Sequence, residues 1–348
     1  MPLPLVRRLP ASRRRAHFRL AVRNRQWGRL TGILGKQDPY PHTALFAGVD
    51  VLLSEGRDAE IPNLAPLQEG NNAFVRAMFK ALCKHAEGRT DAAIEQFDRY
   101  GSGDRFDGYR RMCARAWSLF LKLPRLPEVS PLPAKPPEIV QFWDKKNVPS
   151  DVMRGVQGWR DGSGLSHRLF DAEQAREFLG AHFSPEAVQI FDRCPHPAIQ
   201  SDYFRLGWLA LNGGLYIDAD EAVVPEFKKI APLLAGRLVL RFCTNQPDGH
   251  FLNGFIAAPQ GSPVMSAAFE EATRRLSKDM ESHVYALSGP GMLTDVVLAE
   301  LSKGPFDQLA LLTHSTTKRL VAKGINARYK ADGRSWHTWQ AERNQGAA

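Results

Sequence analysis

Two consecutive glycines, Gly213-Gly214, separate a helical pattern from a short apolar run, and this junction restricts the fold more than any other feature of the chain. Upstream, Asp202, Arg205, Leu206 and Leu209 follow i, i+3, i+4, i+7 spacing, which puts them on one face of a helix. Glycine supplies the left-handed residue that ends a helix, and a second one lets the chain reverse tightly. The run that follows, Leu215-Tyr216-Ile217, reads as a buried strand, as do 139–143, 238–242 and 255–257. Helical patterns at 172–179 and 187–191 lie between them, with Gly, Pro and Asn turns at the boundaries. Such alternation predicts an α/β sheet with helices on both faces, and ligands of such sheets bind beyond the carboxyl ends of the strands.

Six prolines fall between Pro124 and Pro137, where helix and central strand are both disfavoured. We therefore expect a domain of residues 1–123, a Pro-rich linker at 124–137 and a second domain at 138–348. The first reads as an all-α domain of helical hairpins: 74–85 and 91–100 carry helical periodicity and meet at Gly88, and 27–34 with 43–57 suggest another pair. Residues 81–97 resemble the inter-helix junction of a tetratricopeptide repeat, which implies a surface for a protein partner, although no clean 34-residue period runs through the segment.

The net charge of +9 is concentrated at the start of the chain. Residues 1–37 hold nine arginines and Lys36 with no acid, so the remainder is nearly neutral. A basic arm of this kind suits an anionic membrane surface, a solvated helix face or an organelle transit peptide. Nucleic acid is disfavoured, because no aromatic stacking pattern accompanies the arginines. Cys83, Cys113, Cys194 and Cys243 form no CxxC pair, which argues against a zinc ribbon or a disulfide framework. With no apolar run of membrane-spanning length, the expected location is cytoplasmic, or peripheral at the membrane.

The chemistry is carried by Asp218 and Asp220. Alternation along a strand sends Leu215, Ile217 and Ala219 to one face, and Tyr216, Asp218 and Asp220 to the other. Two carboxylates converging at a strand end, followed at once by Glu221, repel one another unless a cation lies between them, and hard ions such as Mg²⁺ or Mn²⁺ prefer oxygen ligands. Such an ion would clamp a diphosphate. A strand may equally end in two solvated acids, so the weight rests on Asp202 and Arg205 in the preceding helix and on the glycine turn.

Residues 201–221 resemble the core motif of the DxD-containing sugar-binding glycosyltransferases, the family of yeast initiating α-1,6-mannosyltransferase-like proteins, with the clostridial glucosylating toxins as distant relatives. The shared pattern is Asp and Arg three apart on a helix, Gly-Gly, an aromatic, an aliphatic and DxD. The resemblance implies that Asp202 and Arg205 contact the donor sugar or ribose, Asp218 the ribose or a metal-bound water, and Asp220 the metal. Flanking matches extend it over roughly 138–340: Trp143 would stack on the base, and Asn253 would line the acceptor side. Ser288-Gly289-Pro290-Gly291 would open a helix near the site, and Ser335-Trp336-His337 would close it, with His337 or Ser335 as a further metal or phosphate contact. The family implies a GT-A-like nucleotide-sugar-binding domain, Mn²⁺ or Mg²⁺, a UDP- or GDP-linked hexosyl donor and retention of configuration. Glycan, glycolipid and protein acceptors, polysaccharide biosynthesis among them, all remain open, and so does the choice between a front-face reaction and a covalent intermediate.

Two other readings compete. A haloacid-dehalogenase-like phosphatase places DxD after an apolar strand but wants Thr or Val where this chain has Ala222, and it leaves Asp202 and Arg205 unexplained. A helical-repeat adaptor with an inactive sugar-nucleotide-binding domain would keep the N-terminal helices as its working surface.

Overall fold

A computed structural model describes residues 11–34, 41–132, 135–304, 308–325, 327–330 and 335–346. Contacts divide the chain into two units: Met1–Leu123 with Phe242–His250 and Thr313–Thr316, and the remainder.

The first unit contains helices Ala11–Arg23 (α1), Leu30–Leu34 (α2), Pro41–Ser54 (α3), Ala73–Ala86 (α4), Thr90–Ser102 (α5) and Gly108–Lys122 (α6). Asn72 and Asp107 cap α4 and α6, each side chain accepting a backbone N–H three residues on. Gly88, at φ +79°, reverses the chain between α4 and α5. Trp117 is the centre of packing, with the rings of Phe46, Phe97, Phe120 and Phe242 at 5.0–6.3 Å and its indole N–H donated to the Pro247 carbonyl. The two inserted segments are also held by Asp50, fully buried in α3. Its carboxylate accepts from Thr244 Oγ1 and Ser315 Oγ, each at 2.5 Å, and from the Ser315 N–H at 3.0 Å.

The basic start of the chain is less isolated than its composition suggests. Of it, residues 1–10 and 35–40 lie outside the described residues, but α1 buries Phe18, Ala21 and Val22. Arg23 pairs with Glu55 and Arg25 with Glu60, each at 2.9 Å, and Arg57 bridges the same two acids. Acids from later in the chain thus neutralise part of the charge, a balance that counting along residues 1–37 cannot detect.

The second unit is mixed α/β. Its central sheet contains Ile139–Phe142 (β1), His167–Phe170 (β2), Gly214–Ile217 (β3), Leu238–Phe242 (β5), Phe251–Ala258 (β6) and Leu309–Thr313 (β7), in the order β2-β1-β3-β6-β5-β7. β1 runs parallel to β2 and β3, and β6 is antiparallel to β3. Glu221–Val223 (β4) and Ala322–Gly324 (β8) form a separate antiparallel ribbon. The helices are Ser150–Gly162 (α7), Ala172–His182 (α8), Pro185–Arg193 (α9), Pro197–Asn212 (α10), Phe227–Leu234 (α11), Pro263–Lys278 (α12), Val284–Leu287 (α13), Pro290–Leu301 (α14), His314–Leu320 (α15) and Trp336–Gly346 (α16). None of the described helices is long and apolar enough to cross a membrane.

Strand alternation builds two core layers. Ile139, Leu215, Ile217, Phe255 and Ala257 join Trp159 of α7 and the apolar face of α11. On the opposite face Phe142 packs on Phe191 and Phe204, and the Tyr216 hydroxyl reaches Ser201 of α10 at 2.7 Å. The sequence predicts one apolar stripe on α10, yet Ile199 and every residue from 201 to 210 are buried. The helix is an interior element, and its polar residues must find partners within the protein.

Candidate active site

The turn from α10 into β3 depends on both glycines. Gly213 and Gly214 have φ of +65° and +94°. A Cβ on Gly213 would stand 2.5 Å from the Gln260 nitrogen and 2.7 Å from the Ala258 oxygen, and one on Gly214 2.6 Å from the Glu138 oxygen. These are backbone atoms that cannot swing aside, so the close approach of β3 to its neighbours requires glycine.

β3 ends at Ile217, and Asp218-Ala219-Asp220 forms the turn into β4. The Asp218 N–H still donates to the Gly254 carbonyl, and the Asp218 carbonyl then accepts from Glu221 N–H and from Gln141 Nε2. Both acids lie beyond the last residue of the strand, and separate partners hold their carboxylates.

Asp218 is held by Arg205, whose Nη2 lies 3.0 Å from Asp218 Oδ1 and 3.1 Å from Asp202 Oδ1. The same guanidinium donates to Ser201 Oγ at 2.8 Å and to the Asn253 carbonyl at 2.5 Å, and it sits 4.2 Å from the centre of the Tyr216 ring. Asp202 accepts from Asn253 Nδ2 at 2.9 Å and Ser288 Oγ at 3.0 Å. Burial pushes the Asp202 carboxyl up to about 7, with Arg205 opposing and Asp218 adding to the shift. The Asp218 carboxyl is also raised, by burial first, against Arg205 and with Asp220. Burial alone would lower Arg205, but Tyr216, Asp218 and Asp202 outweigh it and hold the guanidinium firmly charged.

Asp220 Oδ2 accepts the Tyr329 hydroxyl at 2.7 Å and pairs with Lys330 Nζ. The Tyr329 ring meets Trp143 edge-on at 5.1 Å, in a small apolar cluster that includes Ala219, Val152 and Val156. Trp143 therefore lies on the DxD side of β1. Glu221 pairs with Arg241 at 3.1 Å, and its carboxyl is raised by burial first, against Arg241 and with Asp218 and Asp220.

Ser335, Trp336 and His337 begin or precede α16, His337 is exposed and stacks on Trp336 at 3.6 Å, and Trp336 meets His283. Among the described residues, none of the three makes a hydrogen bond, ion pair or ring contact with Asp202, Arg205, Asp218 or Asp220. Burial first, then His283 and Lys330, hold the His337 ring below its ordinary range, so His337 interacts electrostatically with the partner of Asp220. The described residues contain no group of three or more His, Cys, Asp or Glu poised around an ion. α16 packs through Trp339 on His196, the N-cap of α10.

The sequence reading places 288–291 at a helix start near the site but gives the Ser288 hydroxyl no contact, and it assigns no role to Gln141, Tyr329 or Lys330. Ser201 was findable, being one turn before Arg205 on the same helix face. Tyr329 and Lys330 approach Asp220 from over a hundred residues away and follow no local pattern. A cavity of about 740 Å³ beside β2, lined by Arg160, His167, Phe178 and Trp208 among others, shares no residue with this cluster, and the polar chemistry described above is all at the Asp202–Asp220 cluster.

Sequence comparison gives the arrangement of Asp218 and Asp220 after β3, with Asp202 and Arg205 on the preceding helix, its class. Residues 144–235 match the family described as glycosyltransferase sugar-binding region containing DXD motif. This region carries the signature of a DXD-containing glycosyltransferase. The chain is 22% identical over 180 residues to an uncharacterized glycosyltransferase of Acanthamoeba polyphaga mimivirus, covering 51% of this chain and 70% of that one. The solved PaToxG glycosyltransferase is similar at 16% identity and a TM-score of 0.39, covering 66% of this chain and 80% of that chain. The class uses a nucleotide-sugar donor and a glycan acceptor.

Proposed function

We propose that the protein transfers a hexosyl group from a UDP- or GDP-linked sugar to a saccharide, lipid-linked or protein acceptor, on a GT-A-type domain and with retention of configuration. The observation that carries this reading is the turn between β3 and β4, where Asp218 is compensated by Arg205 and Asp220 by Lys330.

The residues present fit a divalent cation. Asp218 and Asp220 offer oxygen donors only, and a side chain on Gly254 would put its Cβ 2.5 Å from Asp218 Oδ2, so glycine there keeps that oxygen accessible. Mg²⁺ and Mn²⁺ bind through one or two carboxylates and leave their other positions to water and phosphate oxygens. When bound, the cation would stabilise the negative charge that develops on the departing diphosphate.

The chain's own residues supply orientation. Arg205 fixes the direction of the Asp218 carboxylate, and Tyr329 that of Asp220. Asp202, held between Asn253 and Ser288, faces the donor's sugar or ribose hydroxyls by exchanging one of those partners. Trp143 supplies an aromatic surface for the base. The test is donor turnover by the full chain across UDP- and GDP-sugars with Mn²⁺ or Mg²⁺, with and without chelator. Sugar release that chelator leaves untouched would refute the site, as would an Asp220→Asn variant that keeps wild-type turnover.

A further inference from the structure

Asp220 already has a cation. Lys330 Nζ and the Tyr329 hydroxyl both engage the same oxygen, Oδ2, while the backbone that carries them is pinned at separate points. The Ile325 N–H donates to the Asp220 carbonyl at 2.8 Å, the Arg328 N–H donates to Asp151 Oδ2 at 2.7 Å, and the Tyr329 ring packs on Trp143. The Lys330 side chain, by contrast, is 44% exposed and reaches Asp220 from a flexible four-carbon stem. The backbone is anchored at Ile325 and Arg328, whereas the Lys330 side chain is partly open to solvent.

Resting on the donor-site reading above, we propose that Lys330 is a placeholder cation. It neutralises Asp220 while the site is without donor, gives way when a divalent ion arrives, and swings on its stem to the donor's diphosphate. An ammonium and a divalent ion cannot share one carboxylate oxygen at bonding distance without strong repulsion. Metal alone must therefore displace Lys330 without giving it a new anion, whereas metal arriving with diphosphate provides one. Metal and nucleotide consequently bind with positive coupling, and Lys330 is the positioning residue that carries part of it.

The test is Mn²⁺ binding to the full chain, read by the loss of the free-ion electron paramagnetic resonance signal, with no nucleotide and with UDP or GDP. Lys330→Met should bind Mn²⁺ alone about fivefold more tightly than wild type and gain less from nucleotide. Lys330→Arg, which keeps the charge, should stay near wild type and serves as the check on folding. Unchanged affinity for Mn²⁺ alone in Lys330→Met, with nucleotide still promoting Mn²⁺ binding in wild type, overturns the placeholder and leaves the donor site standing. Absence of Mn²⁺ binding in every variant with either nucleotide overturns both.

Discussion

Arg205 Nη2 lies 3.0 Å from Oδ1 of Asp218, so one guanidinium buried in α10 holds the first acid of the motif that follows β3. The same nitrogen is 3.1 Å from Asp202, and Arg205 is only 4% exposed. Removing one member of a buried pair leaves uncompensated charge, at a cost of about 3–5 kcal/mol, reduced here because Asp218 is partly open to solvent. We expect Arg205→Met to lose at least about 2 kcal/mol in urea unfolding. A loss below about 0.5 kcal/mol, the range of an ordinary surface substitution, would show that the cluster does not depend on this cation.

Asp202 gives a pH dependence of defined sign. Burial pushes its carboxyl up to about 7 in the folded protein, against about 4 for an unfolded chain. Between those values the folded state holds a proton that the unfolded state has released, so this group's contribution is complete below about pH 4 and is lost as the pH rises through about 7. Urea midpoints of wild type should therefore fall more steeply from about pH 5 to about pH 7.5 than those of Asp202→Asn. Parallel curves for the two proteins would contradict it.

The glycine turn separates strain from collision. Gly88 and Gly214 share a positive φ, but nothing lies within 4 Å of a Cβ on Gly88, whereas one on Gly214 meets the Glu138 carbonyl oxygen at 2.6 Å. Gly88→Ala should cost about 1 kcal/mol and Gly214→Ala about 3 kcal/mol or more, measured as the shift in thermal midpoint. Equal shifts would mean that the backbone around β3 relaxes to admit the methyl group.

Truncation at the proline-rich stretch should fail. Phe242 stacks on Phe120 at 4.8 Å and meets Trp117 edge-on, and Thr244 and Ser315 both donate to Asp50. A fragment of residues 124–348 would expose these side chains, and we expect it to aggregate on size-exclusion chromatography while the full chain remains soluble. A monodisperse fragment would show that the segments 242–250 and 313–316 fold without the helices.

Local pattern made part of this protein legible. Helical spacing put Asp202 and Arg205 on one face, paired glycines fixed the turn, and alternation sent Tyr216 and Leu215 to opposite sides of β3, because each follows from backbone geometry over a few residues. The resemblance of residues 201–221 to a family motif then supplied the class of chemistry.

Tertiary structure decided what the motif residues touch. Asn253 and Ser288 meet on Asp202, Tyr329 and Lys330 on Asp220, and Asp50 gathers Thr244 and Ser315, across separations from 51 to 265 residues. It also left His337 at the surface and paired Arg23 and Arg25 with Glu55 and Glu60. Periodicity records how a segment presents its own faces to a core or to water. It carries no record of which distant segment the core will bring against that face, and at Asp220 that segment supplies both the hydroxyl and the ammonium that hold the carboxylate.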